Sequence, residues 1–150
     1  MLREGDVVED FELPDQYGRT RSLSGLLEDG PVVLFFYPKA MTTGCTKESC
    51  HFRDLGAEFA EVGAQRVGIS ADPVERQAQF DKKHDLGYPL LSDPDRVVAA
   101  RFGVKRLGPV FNKRATFVID TDRRVLAAIS SELNMEVHAD RALDVLRSRV

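Results

Sequence analysis

The chain has 150 residues, 43% of them apolar and 30% charged, with a net charge of −3 and a pI near 5.6. These values describe one globular domain over residues 1–150, large enough to bury a core. They argue against nucleic acid or an anionic membrane as partner, because either would be met by a basic face. The opening residues Met1-Leu2-Arg3-Glu4-Gly5-Asp6 alternate charge where a secretory leader would be apolar, and no run reaches the length of a membrane span, so cytoplasmic residence is expected.

The elements alternate along the chain. Phe11 and Leu13 flank Glu12 in a short edge strand, and Asp15-Gln16-Tyr17-Gly18 turns into a second extended piece at residues 21–23. The apolar run at 32–37 reads as a buried strand. After it, Phe52, Leu55, Phe59 and Val62 are spaced as one buried stripe of a single helix. A strand at 66–70 follows. Asp72-Pro73 then supplies a cap and a first-position proline, with Glu75 as a box-like partner, for a helix that carries Phe80 inward and ends near His84. A strand at 88–91 and a short helix at 97–102, closed by Gly103, come next. Strands at 116–119 and 125–129 form a hairpin about Asp120-Thr121-Asp122, and a last helix turns Val137, Leu143 and Leu146 inward. Strands interleaved with helices indicate an α/β sheet covered on both faces.

Both cysteines lie in Tyr37-Pro38-Lys39-Ala40-Met41-Thr42-Thr43-Gly44-Cys45-Thr46-Lys47-Glu48-Ser49-Cys50, directly after the buried strand. In a reducing compartment two such cysteines are catalytic or metal-binding more often than a staple. Cys45 falls in the first turn of the following helix, where unpaired amides and the helix dipole favour a thiolate. Cys45, Cys50 and His51 lack a fourth ligand and zinc-like spacing, so no metal and no cofactor is expected. His51, His84 and His138 are scattered and read as structural or solvent-facing.

Pro38, Thr42 and Cys45 reproduce the Pro-x-x-x-Thr-x-x-Cys signature of the peroxiredoxins. The Gly44-Cys45-Thr46-Lys47-Glu48-Ser49-Cys50 run resembles the Q type, also called bacterioferritin comigratory protein, of the AhpC/TSA superfamily. Arg114-Ala115-Thr116-Phe117-Val118-Ile119-Asp120 resembles the family's later Arg-x-Thr-Phe-x-Ile-Asp segment. The resemblance implies a thioredoxin-like fold, a central mixed sheet flanked by helices with a peroxiredoxin-type N-terminal extension. It also implies a thiol-dependent peroxidase acting on hydrogen peroxide and organic hydroperoxides, recycled by a thioredoxin-like or other thiol reductant, in a monomer or weak homodimer. Cys45 is then the peroxidatic cysteine and Cys50 the resolving one, five residues on, as in the atypical 2-Cys scheme.

Ionisation alone does not make such a thiol fast. Lowering a cysteine pKa from about 8.5 to about 6 raises the thiolate fraction at pH 7 only about thirtyfold. Donors that strengthen as charge moves onto the leaving oxygen must supply the rest. The backbone amides of the Gly44-Cys45 turn can contribute, and the resemblance assigns Thr42 and Arg114 to the peroxide, while Pro38 shapes the loop and shields the sulfur. Each assignment has a plainer competitor. Thr42 can be a helix cap or turn residue, Cys50 a packing residue and Arg114 a partner of Asp120 or another surface acid, while Glu48 either orients Arg114 or complements the helix dipole. On an ideal helix, positions five apart have Cα atoms about 8.6 Å apart, beyond the ~7 Å a disulfide tolerates. Bonding Cys45 to Cys50 therefore requires local unwinding. A peroxide-sensing redox switch is the alternative function. A thioredoxin-like disulfide oxidoreductase is disfavoured by a four-residue spacer where Cys-x-x-Cys is the rule. The loop 104–113, with Leu107-Gly108-Pro109-Val110-Phe111, is the expected contributor to peroxide preference.

Overall fold

The computed structural model describes residues 1–106 and 112–149. Its centre is strand β3 (Val32–Phe36), preceded by the hairpin β1 (Glu12–Pro14) and β2 (Thr20–Ser22) and by the short helix α1 (Leu23–Leu27). After β3 come α2 (Thr43–Asp54), α3 (Gly56–Glu61), β4 (Gln65–Ser70), α4 (Val74–His84), β5 (Leu90–Ser92) and α5 (Val97–Phe102). The chain closes with β6 (Ala115–Ile119), β7 (Val125–Ser130) and α6 (Val137–Arg149). The five-stranded sheet has the order β5-β4-β3-β6-β7, parallel on the β4–β5 side and antiparallel on the β6–β7 side. Among the described residues no helix is long and apolar enough to cross a membrane.

All five residues of β3 are buried, as a strand covered on both faces requires. Its alternation divides the interior in two. Val32, Leu34 and Phe36 face α1, α5 and the N-terminal segment, where Phe36, Phe102 and Phe117 form an aromatic cluster. Val33 and Phe35 face the side holding α2, α3, α4 and α6, and the Phe35 ring stacks on Phe52 at 4.1 Å between centroids. Gly68 of β4 makes room for this packing: a Cβ there would stand 2.9 Å from a Leu90 methyl and 3.1 Å from the rings of Phe35 and Tyr37.

Three expectations need correction. The stripe from Phe52 to Val62 is carried by two helices, not one, because the backbone leaves helical geometry at Leu55 (φ −94°, ψ 18°). Phe52 and Phe59 are still both buried. Helix α4 begins after Pro73, whose N-cap position has no side-chain capping bond, so Asp72 is not its cap. The Asp72 carboxylate is used elsewhere. The second extended piece stops at Ser22 and does not include Leu23, which starts α1; the Ser22 hydroxyl caps that helix by accepting from the Gly25 amide. The remaining strands and helices fall within two residues of their expected bounds.

Candidate active site

Where β3 ends, Tyr37 still donates its amide to the Ile69 carbonyl at 3.1 Å, and the chain then turns away through Pro38. The loop to α2 is held from beneath. The Ala40 amide donates to Asp72 Oδ2 at 2.8 Å, and the same carboxylate accepts from Ser70 Oγ at 2.6 Å. Gln77 Nε2 ties Ser70 Oγ (3.0 Å) to the Leu91 carbonyl (2.9 Å), and the Tyr37 hydroxyl donates to Gln77 Oε1. A buried polar chain from β4, β5, α4 and the residue that follows β3 thus fixes the loop, which reverses at Met41 with φ +70°. A non-glycine residue in that left-handed region persists only where its surroundings hold it there.

Thr42 is the N-cap residue of α2, but its side chain does not cap the helix. Its hydroxyl donates instead to the Lys39 carbonyl at 2.7 Å, which closes the loop and leaves the oxygen as an acceptor facing solvent. The amides of Thr43, Gly44 and Cys45 open the helix without a capping side chain. Cys45, third in the helix, is fully buried. Two donors reach its sulfur: the Lys39 amide at 3.4 Å and Arg114 Nη2 at 3.3 Å.

Arg114 lies 69 residues further along the chain, and the sheet brings it there. β6 pairs antiparallel to β3 with Ala115 opposite Phe36, so Arg114, one residue earlier, stands beside the chain leaving β3. Arg114 is 5% exposed and its Nη1 donates to Glu48 Oε1 at 2.7 Å. Its backbone amide donates to Glu132 Oε1 at 3.0 Å. Burial disfavours the Arg114 charge, but Glu48 and Cys45 more than offset it, so the pKa lies above its ordinary value. Burial pushes the Glu48 carboxyl up to about 8 against the opposing pull of Arg114. Gly44 admits the guanidinium, since a Cβ there would lie 3.3 Å from Arg114 Nη2 and 3.5 Å from Met135 Sδ.

Pro38, Thr42, Gly44, Cys45 and Arg114 therefore meet at one place, the carboxyl end of β3 and the first turn of α2. Thr42 does not cap the helix but closes the turn through Lys39, and Arg114 pairs with Glu48 and not with Asp120, which is paired with Arg149 at 3.0 Å. Cys50 stands further along the same helix, half-buried, and both thiols are free. Burial raises the Cys50 thiol above its ordinary value, with Arg53 opposing. Residues 107–111, including Phe111, lie outside the described residues. Four residues come to the site without having been expected there: Asp72, Thr116, Met135 and His138. Thr116 lies within the Arg-x-Thr segment, the one signal that marks it. His138, expected to be structural or solvent-facing, is fully buried against Glu48 at 3.6 Å.

The sequence matches the AhpC/TSA family over residues 5–128. The chain belongs to that family. It is 64% identical to the peroxidoxin BcpB of Mycobacterium tuberculosis, whose crystal structure superposes with a TM-score of 0.95 over 99% of this chain and 98% of the other. It is 39% identical to the chloroplastic peroxiredoxin Q of Sedum lineare, over 98% of this chain and 79% of the relative. The bacterioferritin comigratory protein of Xanthomonas campestris, the subject of a structural study of its alkyl peroxide reduction activity, is 29% identical. It has a TM-score of 0.84, covering 93% of this chain and 91% of the other. This peroxiredoxin is thus a peroxidase oxidoreductase of the Q type with the thioredoxin-like fold of its relatives.

Proposed function

We propose that Cys45 is the peroxidatic thiol and that hydrogen peroxide and organic hydroperoxides are its substrates. The observation that carries this reading is the convergence of the Lys39 amide and Arg114 Nη2 on one buried sulfur, with Thr42 Oγ1 at the mouth. The thiolate attacks one peroxide oxygen as the O–O bond breaks. Cys45 becomes a sulfenic acid, and the departing oxygen takes a proton to leave as water or alcohol. Thr42 Oγ1, whose hydrogen is engaged by Lys39, accepts the peroxide O–H, while Arg114 and the amides of Gly44 and Cys45 donate to the oxygens as charge develops. Pro38, without an amide of its own, turns the Lys39 amide toward the sulfur. The alkyl peroxide reduction of the Xanthomonas relative supports the organic substrates.

Cys50 resolves the sulfenic acid: its sulfur bonds to that of Cys45 and water departs. A thioredoxin-like dithiol then reduces the disulfide and is itself oxidised, in the cytoplasm and in a monomer or weak homodimer. Since both cysteines lie within the continuous helix Thr43–Asp54, the first turns must unwind for the disulfide to close. Mass spectrometry after one equivalent of peroxide tests the order of events. Wild type should carry an internal disulfide and Cys50→Ser a trapped sulfenic acid on Cys45, with sustained peroxide consumption once a thioredoxin system is added. Retention of activity by Cys45→Ala would overturn the assignment, and consumption of one equivalent per chain with no turnover would identify a sensor.

A further inference from the structure

His138, in the first turn of α6, is fully buried and held at both ring nitrogens. Nε2 lies 2.9 Å from the Ser131 carbonyl oxygen and Nδ1 2.8 Å from Thr116 Oγ1. A carbonyl can only accept, so Nε2 carries a hydrogen, and the one lone pair of Nδ1 in the neutral ring takes the Thr116 hydroxyl hydrogen. Beside that lone pair, at 3.6 Å, is Glu48 Oε2, which is buried and makes no hydrogen bond among the described residues. An ionised Oε2 there would be a buried charge without a donor, and one proton held by the carboxyl and the ring, with the Thr116 hydroxyl able to donate to Nδ1 or to accept from it, removes that cost.

We propose that Glu48 and His138 hold one proton jointly at neutral pH, and that His138 is thereby a positioning residue that decides how Arg114 shares its charge between Glu48 and the Cys45 sulfur. With the proton present the couple is neutral overall, and the guanidinium is free to serve the sulfur and the peroxide. Without it the couple carries a full negative charge and draws the guanidinium toward Glu48. Burial favours the neutral form of each partner, raising the Glu48 carboxyl and lowering the His138 imidazolium, so the proton rests mainly on Glu48. The other charged or titratable groups facing the couple are Arg114, Glu132 from the loop after β7, Tyr88 from the segment before β5, and Cys45 on α2 itself. Arg114 pulls the Glu48 and His138 pKa values down and Glu132 pushes both up, while Tyr88, buried, stays protonated.

The catalytic half of this inference rests on Cys45 being the reacting thiol, whereas the shared proton does not. Two measurements on the full chain separate them. The His138 ring shifts, followed by NMR in reduced wild type, should show an inflection that is lost or moved by at least about half a pH unit in Glu48→Gln. The same inflection in both proteins would overturn the shared proton. First-turnover oxidation of Cys45 by hydrogen peroxide should fall at least about threefold from pH 7 to pH 9 in wild type. It should not fall in Glu48→Gln, whose carboxamide cannot lose a proton, and in His138→Gln the fall should shift along the pH axis. A profile unchanged by both substitutions would refute the coupling to catalysis. Should His138→Gln fail to fold, wild type and Glu48→Gln decide the question by both readouts. Absence of any peroxide reaction would sink the peroxidase assignment while leaving the NMR result to judge the proton.

Discussion

Cys45, Arg114 and Glu48 form a line of buried polar groups, each in hydrogen-bond contact with the next. The guanidinium is the shared member, reaching the sulfur with Nη2 and the carboxyl with Nη1. That double reach needs a planar fork, which lysine lacks. Arg114→Lys should therefore lower first-turnover oxidation of Cys45 by about 10²-fold, measured by quenched-flow mass spectrometry; a loss under about threefold would mean that a point charge suffices. Glu48 also leaves a mark on stability. Its carboxyl rises from 4.5 to about 8 on folding, so its contribution is complete below about pH 4.5 and is lost as pH climbs toward 8. Urea denaturation should show wild type losing up to about 5 kcal/mol relative to Glu48→Gln between pH 4.5 and pH 8. Parallel pH dependence in the two proteins would show that folding leaves the carboxyl pKa unshifted.

Helix α2 carries both thiols and is fastened unevenly. Its second half is held from several sides: the Tyr88 hydroxyl donates to the Ser49 carbonyl at 2.7 Å, Arg66 Nη1 to the Phe52 carbonyl at 2.9 Å, and Arg53 Nη1 to the His84 carbonyl at 2.6 Å. The Arg66 guanidinium in turn sits 5.1 Å from the Tyr88 ring centroid. The first turn has no side-chain cap. Unwinding should then begin at residues 43–46 and meet resistance at Ser49, next to Cys50. Tyr88→Phe removes that hydrogen bond, worth about 1 kcal/mol, and should speed disulfide closure after sulfenic acid formation about fivefold. Since the chain has no tryptophan, thiol-trapping mass spectrometry is the suitable readout. A closure rate equal to wild type would place the barrier elsewhere than Ser49. Amide exchange across residues 44–52 should rise on oxidation.

The molecule as a whole supplies the site through strand order. Parallel pairing of β3 with β4 puts Ser70 and Asp72 under the loop, and antiparallel pairing with β6 delivers Arg114 from the other side. The two cores meet at β3, so strain on either face reaches the cysteine loop. Gly68→Ala should test this. Its methyl would press on Leu90, Phe35 and Tyr37, costing about 1–3 kcal/mol in urea denaturation and slowing Cys45 oxidation because Tyr37 leads directly into the loop. Full activity and full stability together would show that β4 yields without disturbing β3.

Local chemistry made the residues that gather around Cys45 readable in advance. Pro38, Thr42, Gly44 and Cys45 lie within eight residues of one another, where a strand, a turn and a helix start come in order, and short-range spacing is what a sequence displays. The strands were readable for the same reason, since β3 is apolar without interruption and β6 and β7 flank an Asp-rich turn. Contacts between distant segments were not. Glu48 had two acceptable roles until β6 set Arg114 against it, the stripe from Phe52 to Val62 gave no warning of the break at Leu55, and Asp72 looked like a cap until the loop claimed its carboxylate. His138 carries no local signature at all. Its surroundings exist only because α6 packs across β6 and α2, and burial among those elements, not its place in the chain, gives it Thr116, Ser131 and Glu48 as neighbours.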